Sequence, residues 1–150
     1  MRRALLLAVL LPLTACGGTP EDPEVTFYAD GEAVRTGPAE YCDVDVLECE
    51  AHPDAEARLA VSPGSPVQIS VPDAVAEAPW QVVFRYRDGE EAAEGRSELF
   101  AADERLAYTL EVPGQLEALE VQQFGLPAVE DGVPTFLVRG TWSLLVEPAS

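Results

Sequence analysis

Three cysteines, one histidine and 27 acidic residues are the side chains of this 150-residue chain best suited to chemistry. They are densest between Cys42 and His52, where Asp43, Asp45 and Cys49 complete a set of thiolate, carboxylate and imidazole groups, all reasonable zinc ligands. Spacing argues against that use. The two cysteines stand too far apart for a zinc knuckle, and the chain has a single histidine. Asp43-Val44-Asp45 opens like a calcium-binding loop, but Leu47 occupies the third acidic position and no glycine follows. No metal site is expected, and His52 reads as a solvated loop residue. Cys42 and Cys49 are instead expected to form a disulfide, whose short loop stabilises by about 2.5 kcal/mol in the chain-entropy model.

Other chemistries lack their parts. After Met1 there is no methionine, so a thioether copper site cannot be built. Neither G-x-S-x-G nor S-x-x-K occurs, and lysine is absent. Glu90-Glu91, Glu117 with Glu120, and Glu130-Asp131 read as solvated carboxylates rather than a pair that cleaves glycans. Tyr28, Tyr41, Tyr108 and Trp142 could form a ligand shelf, but their period-two positions favour core and cross-strand packing. Arg85 and Arg87 are expected to offset nearby acids in preference to an acidic ligand. No enzyme and no cofactor are expected.

The third cysteine reads differently. Cys16 closes Leu13-Thr14-Ala15-Cys16, after Met1-Arg2-Arg3 and an apolar run, Ala4 to Leu11, that is too short to span a bilayer. This is the form of a bacterial lipobox, in which the thiol receives a diacylglyceryl group and the chain is cut just before it. The expectation is a signal peptide over 1–15, a flexible tether over 16–24 rich in Gly, Pro and charge, and one folded domain over 25–148. Several acyl chains hold a protein at a bilayer far more durably than one. The site expected is therefore the extracytoplasmic face of the cell membrane.

Charge narrows the partners. Nine basic residues less Arg2 and Arg3 leave seven against 27 acidic ones, a net of −20 after the cut. Such a surface repels nucleic acid, anionic headgroups and acidic wall polymers, so membrane contact is expected through the lipid on Cys16 alone.

Period-two alternation dominates the rest. Strands are expected at Val25–Ala29 before the Asp30-Gly31 turn, Ala57–Ser62, Val67–Val71, Trp80–Arg87 before Asp88-Gly89, Leu106–Val112, Glu117–Phe124 and Phe136–Val146, with a short one at Ser97–Ala101. Glu90–Gly95 reads as a polar excursion, Gly125–Pro134 as a loop, and Asp73–Ala78 as at most one helical turn. Gly140 marks a bulge or a close backbone approach. Seven or eight strands between Pro and Gly turns indicate an all-β, antiparallel sandwich of immunoglobulin-like or fibronectin-like kind, with a small barrel as the alternative.

Six stretches resemble a family of small actinobacterial lipoproteins whose shared domain has no assigned function. They are Glu24–Gly31, Tyr41-Cys42-Asp43-Val44, Pro66–Pro72, Pro79–Arg87, Leu106–Leu110 and Glu120–Gly125. The resemblance covers most of the chain after Cys16 and carries over no catalytic or ligand residue. It implies a cell-surface lipoprotein of a high-GC Gram-positive bacterium.

The function expected is a non-enzymatic binding or scaffolding module that meets another envelope protein through an edge strand or loop cluster. A small-ligand or metal-binding lipoprotein is the alternative, and a cell-wall glycan hydrolase stands behind both.

Overall fold

The computed structural model describes residues 21–150, so the signal segment and Cys16 lie outside the described residues. Thirteen strands and one helical turn occur among the described residues. In chain order they are β1 (Val25–Ala29), β2 (Glu32–Thr36), β3 (Glu40–Cys42), β4 (Cys49–Ala51), β5 (Glu56–Val61) and β6 (Val67–Ser70), then α1 (Asp73–Ala76). After these come β7 (Trp80–Asp88), β8 (Glu91–Arg96), β9 (Ala107–Leu110), β10 (Gln115–Phe124), β11 (Ala128–Glu130), β12 (Val133–Thr135) and β13 (Val138–Pro148). Among the described residues no helix is long and apolar enough to cross a membrane.

The strands form a β-sandwich. A four-stranded sheet has the order β2-β1-β6-β9, and a seven-stranded sheet the order β4-β3-β13-β10-β7-β8 with β5 also on β13. Alternation explains the packing: Val25, Phe27, Ala29, Val67 and Ile69 from the smaller sheet meet Leu59, Trp80, Val82, Val121, Trp142 and Leu144 from the larger one in a single core. β13 joins the larger sheet together. It pairs with β10 along one side, while β3 and β5 share the other, β5 running parallel to it.

That parallel pair departs from an all-antiparallel sandwich, and the strand count exceeds seven or eight. Glu90–Gly95 is not an excursion: β8 returns from β7 across a tight turn with Gly89 at φ 60°. Gly125–Pro134 is not only loop, because Asp131 (φ 50°) and Gly132 (φ 80°) turn β11 into β12. Ser97–Ala101 is no strand. It makes one bridge, Trp80 to Phe100, and the buried Phe100 gives the segment its apolar look.

Two ends follow from the register. At one, the Asp30 carboxylate accepts the Ser62 N–H (2.7 Å) and the Gly64 N–H donates to Gly114 O (2.7 Å), gathering three turns. At the other lie α1, the β3–β4 loop and the β11–β12 ribbon. The chain arrives at this second end, since β1 runs from it towards Asp30 and the Trp142 Nε1–H donates to Pro23 O at 2.7 Å. The carbonyls of α1 are also fully used: Asp73 O accepts from Glu77 N–H, Ala76 O from Asp103 N–H, and Ala74 O and Val75 O from the buried amide of Gln123.

Candidate functional site

Cys42 and Cys49 face each other across β3 and β4 and are joined by a disulfide, with their Cα atoms 4.0 Å apart. The bridge removes both thiolates as ligands. Asp43 is occupied as well, its Oδ1 accepting the N–H groups of Leu47 (2.8 Å) and Glu48 (3.4 Å) inside the loop. The set from Cys42 to His52 therefore does not assemble. His52 instead faces Asp22 (3.5 Å), and with Glu50 they bring three ligand atoms within 4.8 Å of one another, all on exposed residues. This contact and the Trp142 bond fasten the last part of the expected tether to the sandwich.

The four aromatic residues do not converge. Tyr28 is exposed on the smaller sheet, and Tyr108 packs against Phe100 at 5.2 Å. Trp142 is fully buried, with Tyr41 edge-on at 5.8 Å. Desolvation raises the Tyr41 hydroxyl above its ordinary value, against the opposing charge of Arg139. Arg85 and Arg87 both reach Glu117, at 3.3 and 3.0 Å. Glu117 can take both because it is the extra residue of a bulge between Leu116 and Ala118.

A groove of about 480 Å³ lies on the outer face of the larger sheet. Val83, Ala118 and Leu145 form its floor, with Arg85, Glu94, Arg96 and Glu120 around them. Its walls carry both signs of charge.

A second surface feature is at the end where the chain arrives. Leu47 (80% exposed), Val129 (72%), Val133 (62%), Leu126 (59%), Val44, Phe136 and Leu137 present their apolar side chains to solvent there. They come from two loops far apart in sequence. The Leu126 N–H donates to Val44 O (3.0 Å), the Gly125 N–H donates to Leu137 O (2.9 Å), and a Cβ on Gly125 would stand 2.6 Å from Val46 Cγ2. Asp45, Glu48, Glu130 and Asp131, all exposed, belong to the same two loops. The sequence carried one missed signal for this cluster, the Asp131-Gly132 pair that dictates a hairpin.

Residues 18–147 match the family model described as a protein of unknown function, DUF2771. The chain belongs to this family. It is 33% identical over 153 residues to the uncharacterized protein Mb0899c of Mycobacterium bovis and, equally, to the uncharacterized protein Rv0875c of Mycobacterium tuberculosis. Each alignment covers 93% of this chain and 92% of the relative. These are actinobacterial proteins, as the sequence resemblance implied. No solved structure matches the chain.

Proposed function

We propose that this protein is a non-enzymatic docking module of the bacterial envelope, held to the membrane by a lipid on Cys16, which binds another envelope protein through the apolar end of its sandwich. One observation carries the reading: large apolar side chains that are singly unremarkable on a surface are here gathered on two loops joined by a backbone hydrogen bond, Leu126 N–H to Val44 O. A preformed patch loses little conformational freedom on binding. The lipobox form of Leu13–Cys16 supports the anchor.

Two measurements test the parts separately. Cells fed a labelled fatty acid should incorporate it into the wild type and not into Cys16→Ala; an unlabelled wild type ends the anchor. A photo-crosslinking residue at Val129 should join the protein to another protein in living cells, whereas one at Tyr28 should not. No protein adduct at Val129 refutes docking.

A second reading has its own observation. Arg96 beside the outer-face groove makes no ion pair among the described residues, which suits a small acidic ligand over an apolar floor. Saturable binding of a small carboxylate, lost in Arg96→Gln, would favour it.

A further inference from the structure

We infer that the partner of the apolar end is a membrane-bound protein that presents, close to the bilayer, an apolar surface ringed by arginine or lysine side chains. The inference rests on the docking reading above and adds the partner's location and its chemistry.

Location follows from the length of chain between the anchor and the fold. Cys16 precedes Asp22 by six residues, a reach of at most about 20 Å when fully extended. The Asp22 carboxylate lies 3.5 Å from His52 Nε2, and from His52 the strand β4 leads back to Cys49, about 10 Å further, where the apolar loop begins. With about 11 Å for the two side chains between the Asp22 and His52 backbones, the start of that loop is thus within roughly 45 Å of Cys16. The chain also enters the sandwich at this end, so a lipid on Cys16 holds the patch close to the bilayer. A membrane-bound partner already occupies that layer, at an effective concentration no free protein reaches.

Chemistry follows from the rim. Asp45, Glu48, Glu130 and Asp131 are acidic and exposed. The cation between the two loops, Arg139, is already engaged: its Nε–H donates to Cys42 O at 2.9 Å and its guanidinium lies 4.9 Å from the Tyr41 ring. Docked against a second copy of itself, the patch would set acid against acid. Anionic headgroups meet the same repulsion, and a cationic ring around an apolar centre matches.

The test uses the full-length lipoprotein in living cells, with a cleavable, label-transferring photo-crosslinker at Val129 and a control at Tyr28. Transfer from Val129 should mark a protein that stays in the membrane through an alkaline wash after the crosslink is cleaved. Reversing Asp45, Glu48 and Glu130 to arginine should lower transfer about tenfold or more, since facing like charges costs several kcal/mol. A long Gly-Ser spacer after Cys16 should lower it severalfold. The variants must keep the wild-type urea midpoint, which their exposure allows. If the marked protein washes off, the location is wrong while docking stands; if charge reversal changes nothing, the chemistry is wrong while docking stands. Label found on phospholipid or on a second copy of this chain, or no label at all, overturns both the inference and the reading beneath it.

Discussion

Replacing Gly140 with alanine should destabilise the sandwich by about 1–3 kcal/mol, the range for added volume in a packed core. An alanine Cβ there would lie 2.7 Å from Trp142 Cη2 and 2.8 Å from Tyr41 Cδ2, well inside van der Waals contact. Trp142 cannot yield freely, because it is fully buried and its Nε1–H is committed to Pro23 O at 2.7 Å. A ring that shifts to relieve the clash loses that bond, at a further cost of about 1 kcal/mol. Removing a strand glycine returns roughly 0.5–1 kcal/mol of backbone entropy, so the two smaller effects nearly cancel. Urea unfolding followed by tryptophan fluorescence should show a midpoint lower by about 1 M with an unchanged slope. Gly37→Ala is the control: no atom lies within 4 Å of its Cβ, and it should stay within about 0.5 kcal/mol of wild type. A Gly140→Ala midpoint equal to the wild type's would show that the Trp142 contact does not constrain the fold.

Gln123→Leu takes the donor away from both Ala74 O and Val75 O while deleting one buried oxygen, Oε1, that has no partner among the described groups. The net should be a loss of about 1–3 kcal/mol by urea unfolding, and a gain would refute the accounting. Changing Cys42 and Cys49 together to alanine should cost about 2.5 kcal/mol, read as a lower melting temperature without reductant. Asp30 is held below its ordinary 3.8 first by the Ser62 backbone N–H, then by the Ser65 and Ser62 hydroxyls. Stabilisation from a lowered carboxyl is complete above the unfolded value and lost as pH falls through the folded one. The advantage of wild type over Asp30→Asn should therefore be constant above about pH 4 and shrink below it; an advantage that grew on acidification would contradict the hydrogen bonds.

Strands that bury one face were legible, because Phe27, Ile69, Val82, Val121 and Leu144 repeat at period two and each points into the core. Strands with little to bury were not. β8 and β4 are largely exposed, and β2 buries only Thr36 fully, so their sequences lack an apolar face to announce them. Their existence comes from pairing, which turns and neighbours supply. Phe100 misled in the opposite direction, since a single buried aromatic in a loop resembles a short strand. The disulfide was readable from cysteine count alone. The apolar end was not, because Val44 and Leu126 lie 82 positions apart and meet only through register set by β13.

β13 stands between β10 on one side and β3 and β5 on the other, and it follows all of them in chain order. During synthesis β7, β8 and β10 can pair before it is made, but the β3–β4 hairpin and β5 have no strand of that sheet to join, and Trp142, half of the core's tryptophan content, does not yet exist. Non-local pairing of this kind is slow to nucleate. A growing chain thus leaves its larger sheet in unjoined parts until β13 is made, and a cut within that strand would part β3, β4 and β5 from β10, β7 and β8.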